Sequence, residues 1–285
     1  MQRKALVLVN LAVLLFGLAG LFAKWVRLPA LEITFGRVLF SSIALGLYMR
    51  FRGMDFRVAG AKNQRLLFVS GVVLALHWWT FLLAIQVSTV AIGTLTFASF
   101  PLFLTFLEPV VLKRRLSLSA VLFAGLILIG VVVTIPELSL ENHMVRGIVI
   151  GMASAFLYAV LTLLNQGLAD RHGAVKTAFY EQAVAAIVLL PFVLRVGVLP
   201  TASDLGLLLF LGLVTTALAH TLFISSLKDL PAHLAGIISS METVYGILFA
   251  FLLLREVPSA RELIGAGIIV AAVVAAQAVR EVITR

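Results

Sequence analysis

Histidine and tryptophan side chains that could do chemistry stand in the middle of a long apolar stretch, ALHWWTFLLAIQ. His77 can bind or relay a proton, and Trp78 offers a flat ring for stacking or for holding a cation. A second histidine, His220, lies in another apolar stretch, LVTTALAHTLFISS. In a soluble core such residues are ordinary packing, whereas inside a membrane they are costly and commonly functional. The composition of the chain decides between these settings.

The composition indicates an integral membrane protein. Of the 285 residues, 62% are hydrophobic and 12% are charged, and the mean hydropathy is +1.13, whereas a soluble domain is about 25% charged. The absence of cysteine excludes disulfides, thiolate catalysis and Cys-type metal sites. In so apolar a chain, the net charge of +9 points to membrane topology and anionic lipid, not to nucleic acid.

Polar residues divide the chain into ten apolar spans, each long enough to cross a hydrocarbon core of roughly 30 Å. The predicted spans are 5–23, 31–49, 66–86, 89–112, 118–135, 147–167, 175–194, 205–227, 232–254 and 262–279. The first is predicted to be a retained helix and not a signal peptide. Pro101 and Pro191 fall inside spans, where they should bend or locally open the helix.

The distribution of basic residues predicts the orientation. With the N-terminus in the cytoplasm, the inside loops and tails hold fifteen Lys and Arg residues, the outside loops hold six, and Arg37 lies within a span. The excess of positive charge on the inside places both termini in the cytoplasm of a multi-pass protein of the plasma membrane, which is the inner membrane of a bacterium.

The two halves of the sequence resemble each other at a constant offset of 142 residues, which predicts an internal duplication. AGLILIGVVV from Ala124 aligns with AGIIVAAVVA from Ala266, and in the same register Phe16 corresponds to Tyr158 and Trp78 to His220. Since each half has five spans, the second must lie upside down relative to the first. The prediction is an all-α integral membrane fold of ten transmembrane helices in two inverted five-helix repeats, residues 1–140 and 141–285.

Three local patterns resemble the EamA-type carriers of the drug/metabolite transporter superfamily. They are an arginine in the second span (ITFGRVLFSSIALGL), a proline in the fourth (FASFPLFLTFLEPVVLKRRLS), and METVYGILFAFLLLREVPSARELIGAGIIV across the ninth and tenth. The last is similar to the family's EP…GE…S…GA pattern, although Thr243 replaces the proline, and Arg114 stands where the repeat would place a glutamate. The resemblance implies a cavity lined by helices three, four, eight and nine, with contributions from helices one and six.

Eight residues are candidates for binding the substrate. We expect His77 and Trp78 to face the cavity and Trp79 to face lipid or a neighbouring helix, although His77 could instead make a structural hydrogen bond between helices. Glu242 could receive a substrate ammonium, carry a coupling proton, or make a structural hydrogen bond. The full set of candidates is His77, Trp78, Phe97, Phe100, Tyr158, His220, Glu242 and Tyr245.

Two further charged residues receive structural interpretations. The side chain of Arg37 can extend to the interface or pair with a carboxylate, and a structural role is favoured. Glu108 lies close to the cytoplasmic end of its span and is interpreted as structural. The two mid-span histidines lack a third ligand in register, so we expect no metal and no other cofactor.

The sequence predicts a secondary transporter and no enzyme. It contains neither a Gly-rich phosphate loop nor an H-E-x-x-H or G-x-S-x-G motif. The leading hypothesis is a monomeric carrier in the lipid bilayer that exports amino acids, aromatic or large apolar ones in particular, or similar small metabolites by alternating access. The alternative is a proton-coupled exporter of cationic drugs in which Glu242 exchanges protons for substrate.

Overall fold

The computed structural model describes residues 2–113, 118–133 and 143–283, and these form ten helical spans. Three spans contain a break or a local π-helix, and the first is followed by a short turn of helix, Phe22–Trp25. The spans are α1 (Gln2–Ala19), α2 (Ala30–Phe51), α3 (Ala61–Val87), α4 (Val90–Phe97 and Phe100–Leu112), α5 (Leu118–Val133), α6 (His143–His172), α7 (Ala174–Val196), α8 (Ala202–Phe210, π-helical Leu211–Leu218 and Ala219–Ser226), α9 (Ala232–Ser239, Met241–Phe249 and π-helical Ala250–Leu254) and α10 (Ala260–Ile283).

The length and apolarity of the helices confirm the predicted membrane fold. Eight helices in the described part of the chain are long and apolar enough to cross a membrane, and Val121–Val133 is a shorter apolar helix. Without water in the hydrocarbon region, a helix is the conformation in which such a segment satisfies its own backbone groups. The protein is therefore a multi-pass membrane protein built from two inverted five-helix repeats. The predicted division at residues 140 and 141, like Arg114, lies outside the described residues.

Glycines allow helices to approach closely at several crossings. A Cβ added to Gly17 on α1 would lie 2.5 Å from Cβ of Tyr245 on α9. A Cβ on Gly151 of α6 would lie 2.2 Å from Oγ1 of Thr96 on α4. Because lipid tails are as apolar as leucine, such close backbone packing is a main source of attraction between helices in a membrane.

Helices α4 and α9 are interrupted at equivalent positions. The segment Val90–Phe97 ends before Ala98, and the segment Ala232–Ser239 ends before Ser240, which is 142 residues further along. In α4 the break precedes Pro101, as predicted, whereas α9 has Thr243 at the equivalent position and breaks without a proline. The hydroxyl of Thr243 instead donates to the backbone oxygen of Thr94, 2.7 Å away. The same interruption thus occurs in both repeats with different side chains.

Pro191 lies inside α7, which continues through it to Val196. The third span begins at Ala61, before the predicted start at residue 66, because residues 61–65 form a polar first turn (AKNQR). The π-helical segment of α8, which the sequence did not predict, packs its Gly212 against Phe40 of α2.

The two repeats contact each other on the side of the membrane where the chain begins, called here the N-terminal side. The loop between α2 and α3 is held by α7: the ammonium of Lys176 donates to the backbone oxygen of Arg57, and the Tyr180 hydroxyl donates to that of Phe56. The ring centroids of Phe56 and Phe179 are 5.5 Å apart. We call these five residues the clasp.

Candidate substrate site

A small cavity lies where residues of both repeats converge. Its lining comes from α1, α2, α3, α4, α6 and α9, and consists of Phe16, Ala19, Arg37, His77, Trp78, Phe81, Phe97, Tyr158 and Glu242. The volume is about 20 Å³, which is room for about one water molecule. Aromatic rings form most of the wall, and one arginine and one glutamate supply opposite charges.

Arg37 turns into the protein, so of the two alternatives left open by the sequence, its side chain does not take the one that extends to the membrane interface. Its side chain is 1% exposed, and Cζ lies 3.8 Å from the ring centroid of Trp78. Its Nε donates to Oγ1 of Thr216, 3.0 Å away. Oγ1 of Thr216 itself donates to the backbone oxygen of Leu211, five residues earlier, so the π-helical turn of α8 presents this hydroxyl to Arg37.

Glu242 is the second residue of the second segment of α9, which begins at Met241 directly after the break at Ser240. It is 5% exposed and lines the same cavity as Arg37. Arg37 and Glu242 therefore bring opposite charges into one cavity. In the first repeat, the position equivalent to Glu242 is occupied by Phe100, which is apolar. The hydroxyl of Ser239, three residues before Glu242, donates to the backbone oxygen of Ala235, 2.9 Å away, and not to the Glu242 carboxylate.

His77 lines the cavity and also joins α3 to α6. Its Nδ1 lies 2.8 Å from Oγ of Ser154, and that hydroxyl lies 3.0 Å from the backbone oxygen of His77. The imidazole centroid is 4.7 Å from the ring of Tyr158 and 5.3 Å from that of Phe97. The interhelical hydrogen bond considered in the sequence analysis is thus present, and the ring forms part of the cavity wall.

Trp78 and His220 touch each other, although His220 does not line the cavity. Their ring centroids are 5.5 Å apart with an interplanar angle of 68°, an edge-on contact. Behind this contact, Nε2 of His220 lies 2.8 Å from Oε2 of Glu181 on α7. Trp78 thus separates the cavity from a buried histidine–carboxylate pair.

The remaining candidates divide between the wall and a distant surface. Phe100 is fully buried, stacks on Phe97 at 5.1 Å and meets Tyr158 edge-on at 4.9 Å, so it supports the wall from behind. Tyr245 lies elsewhere: it lines a separate groove with Arg3, Asn10 and apolar residues of α1. Trp79 is partly exposed and packs against the main core.

Glu108 lies away from the cavity. Its Oε2 accepts hydrogen bonds from the backbone nitrogen of His233, 3.0 Å away, and lies 2.9 Å from Nδ1 of the same residue. The carboxylate therefore helps to cap the start of α9. This contact joins α4 to α9 at the N-terminal side.

Sequence reasoning missed three residues around the cavity: Arg37 as part of its lining, Thr216 as its anchor and Glu181 as the partner of His220. The signal for Arg37 and Glu181 was available, since each is a charged residue within an apolar span. Thr216 gave no such signal, because the π-helical turn that aims it cannot be read from helical periodicity. The predicted contribution of helix eight to the lining is therefore indirect, and helix two contributes in its place.

Two inverted five-helix repeats with a cavity between them are the architecture of the class of secondary transporters. A family model for EamA-like transporters matches residues 3–135 and again residues 145–276, so the chain belongs to the EamA-like transporter family. A solved crystal structure aligns over 100% of both chains with a TM-score of 0.79 at 19% sequence identity, which establishes similarity of fold alone.

Curated relatives are transporters of similar length. The pseudopaline exporter CntI of Pseudomonas aeruginosa is 26% identical over 87% of this chain and 86% of its own. An uncharacterized transporter of Archaeoglobus fulgidus is 26% identical over 93% of each chain. The S-adenosylmethionine uptake transporter of Rickettsia conorii is 26% identical over 86% of this chain and 81% of its own.

Proposed function

We propose that this transporter exports amino acids, with a preference for aromatic or large apolar ones, or similar small metabolites. The observation that carries the proposal is the placement of Arg37 and Glu242 in one cavity whose wall is mainly aromatic. A zwitterion presents a carboxylate and an ammonium close together. Arg37 provides a guanidinium fork suited to the carboxylate, and Glu242 provides an acceptor for the ammonium.

The aromatic wall explains the proposed preference for large side chains. Trp78, Phe97 and Tyr158 offer ring faces and edges against which an apolar or aromatic side chain can pack. Arg37 is already held over Trp78 and by Thr216. A site whose charge is fixed before binding loses less conformational entropy when the substrate arrives.

The size of the cavity supports alternating access. About 20 Å³ is far below the roughly 300–1,000 Å³ of ligand pockets, so the substrate site must widen before it is filled. The interrupted helices α4 and α9 and the π-helical turns of α8 and α9 supply places where the backbone is not a continuous α-helix. Movement of one repeat against the other would open the site to one side at a time.

The relatives include an exporter and an uptake transporter, so they leave the direction of transport open. One is named for export of pseudopaline and another for uptake of S-adenosylmethionine. We place this protein with the exporters, as a monomer in the inner membrane with both termini cytoplasmic and its repeats at residues 1–140 and 141–285. The N-terminal side is then the cytoplasmic side.

The cavity fits the alternative, a proton-coupled exporter of cationic drugs, less well. Glu242 offers the required carboxylate, but a monocation would also have to enter beside the guanidinium of Arg37. Two like charges at close range repel strongly in a low-dielectric site. A zwitterion avoids this repulsion, because its carboxylate can lie towards Arg37.

Counterflow in proteoliposomes tests the proposal. Vesicles are loaded with one unlabelled amino acid at a time, and uptake of radiolabelled phenylalanine, leucine, alanine and lysine is measured, with tetraphenylphosphonium as the cationic drug. We expect exchange of phenylalanine and leucine to exceed that of alanine and lysine. Exchange of tetraphenylphosphonium with no exchange of any amino acid would overturn the proposal in favour of the alternative.

A further inference from the structure

A second buried polar site lies on the N-terminal side of Trp78. There, side chains of α2, α6, α7 and α8 pack into an apolar cluster that includes Leu45, Ala169, Ala178 and Ile224. One helical turn further into the protein, each of these helices carries buried polar side chains. These are Ser41, Asn165, Glu181, Gln182 and His220, each at most 1% exposed, and we call them the polar layer.

The polar layer holds more hydrogen-bonding groups than its contacts satisfy. Within the described residues, Oγ of Ser41 and both amide atoms of Asn165 and Gln182 are buried without a partner. The same holds for Oε1 of Glu181 and Nδ1 of His220. Unpaired buried polar groups are costly and call for a water, an ion or a functional reason. Five such residues in one layer are therefore not explained by packing alone.

The pair of Glu181 and His220 makes a proton the fitting ligand. With the hydrogen of Nε2 shared with Oε2 of Glu181 at 2.8 Å, the lone pair of Nδ1 has no donor among the described residues. A hydronium ion can transfer its proton to Nδ1 and leave as water, while the hydrogen bond between Nε2 and Glu181 stays intact. The pair then changes from a net charge of −1 to an internally neutral imidazolium and carboxylate, which a low-dielectric interior tolerates better.

We propose that the polar layer is the coupling-proton site of this transporter, with His220 Nδ1 as the atom that accepts the proton. The amide oxygens of Asn165 and Gln182 would accept from Nδ1–H through a water, since both lack a partner within the described structure. This role is distinct from that of Glu242, which lies across Trp78 in the substrate cavity. Binding of the proton at His220 does not depend on the proposed transport function. Only the role of that proton in driving transport rests on it.

Four titratable groups on other helices face this pair. Arg37 on α2 contacts Trp78 and Thr216, and Trp78 in turn contacts His220. His77 faces the pair from α3. Tyr158 faces Glu181 from α6, and Glu242 lies beyond the tryptophan on α9. His77 and Glu242 both line the cavity beside Trp78, so the experiment must separate their effects from that of His220.

Fluorescence of Trp78 reports on the charge of His220 without any substrate. The chain has three tryptophans, so Trp25→Phe/Trp79→Phe leaves Trp78 as the only one. An imidazolium in edge contact quenches an indole more strongly than a neutral imidazole does. The full-length protein in lipid nanodiscs is titrated from pH 8.5 to 4.5, and we expect a single quenching transition.

Variants in this background assign the transition. His220→Gln should abolish it, and Glu181→Gln should move its midpoint down by about one pH unit or more, because the carboxylate no longer stabilises the imidazolium. His77→Asn and Glu242→Gln should retain it. His233→Gln is the matched control, because it removes the histidine of the other histidine–carboxylate pair, with Glu108.

The outcomes decide in either direction. If His220→Gln does not fold, the shift in Glu181→Gln decides alone. The proposal is overturned if the parent shows no transition or if the transition persists in His220→Gln. It is also overturned if the transition is lost in His77→Asn or Glu242→Gln, or if its midpoint does not move in Glu181→Gln. A midpoint that depends on NaCl but not on choline chloride would assign the layer to a metal cation instead. Because no substrate is used, this result is independent of the counterflow experiment.

Discussion

At the scale of single residues, charge balance in the cavity depends on Arg37, Trp78 and Glu242. Arg37 and Glu242 come from different repeats and are the only charged groups of the described cavity lining. Trp78 holds the guanidinium at 3.8 Å and separates it from His220. Removal of any one of the three therefore changes the environment of the other two.

Neutralising Arg37 should weaken substrates that carry a carboxylate, whereas neutralising Glu242 should weaken substrates that carry an ammonium. Arg37→Gln removes the proposed carboxylate partner, so we expect its KM for phenylalanine to rise about tenfold or more, while phenethylamine, which lacks the carboxylate, loses little. Glu242→Gln should impair phenethylamine and spare hydrocinnamate, which lacks the ammonium. Initial rates in proteoliposomes measure both effects, and the same preference in both variants would contradict the assignment.

Trp78→Ala should reduce transport of phenylalanine more than transport of alanine. The substitution removes the stacking face and the cation–π support of Arg37, which is worth about 0.5–2 kcal/mol. Trp79→Ala is the matched control, because Trp79 is adjacent but is absent from the cavity lining. Initial rates for both amino acids check the prediction, and a larger loss in the control would show that the wrong face of α3 had been assigned.

The inward side of α3 could be predicted because a run of small and polar residues marks it. The direction of Arg37 could not, because a long side chain near a helix end can reach either the interface or the interior. Its direction depends on Thr216, which is 179 residues away and is aimed by a π-helical turn. The pairing of His220 with Glu181 likewise depends on contacts between helices that periodicity does not specify.

At the scale of the helices, close packing depends on individual glycines. Gly17→Ala places a methyl group 2.5 Å from Cβ of Tyr245 and 3.3 Å from the backbone nitrogen of Gly246, so α1 and α9 must separate. We expect a loss of about 1–3 kcal/mol in stability. Gly167→Ala on α6 is the control, since a Cβ there meets nothing within 4 Å. Thermal unfolding in detergent compares the two, and equal melting temperatures would contradict the tight crossing.

The clasp should limit access to the polar layer. Tyr180→Phe removes the donor to the Phe56 oxygen, so the loop between α2 and α3 should detach more often. Because the chain has no cysteine, Ser41→Cys provides a single thiol in the polar layer. We expect its labelling by a soluble maleimide to accelerate at least severalfold in Tyr180→Phe. Tyr48→Phe, on an exposed part of α2, is the control, and equal acceleration by both would contradict a specific role.

The helices and their repeat were predictable because length and apolarity are properties of single segments. The break in α4 was also predictable, since Pro101 marks it. The equivalent break before Met241 carries no proline and was visible only in the structure. The two repeats thus share a helix break but produce it with different residues. A sequence pattern such as a proline therefore reveals the break in only one repeat.

At the scale of the whole molecule, two exposed positions test the orientation. Ala59 lies in the loop between α2 and α3, and Ser203 lies at the start of α8, so the helix order places them on opposite sides. In cells, Ser203→Cys should react with an impermeant maleimide, whereas Ala59→Cys should react only after permeabilisation. The reverse pattern would invert the orientation, and labelling of both in intact cells would contradict the number of crossings.

The edge contact between Trp78 and His220 joins residues that occupy equivalent positions in the two repeats. Equivalent residues that touch must lie beside the pseudo-two-fold axis. When two inverted repeats exchange conformations, residues far from the axis change their neighbours, as the clasp would on opening. A pair of equivalent residues beside the axis keeps the same neighbours, because the symmetry operation exchanges its two members. Under the proposed alternating access, we therefore expect this pair to keep its place throughout the transport cycle. The indole would sense the imidazole whether the path is open to the cytoplasm or to the outside.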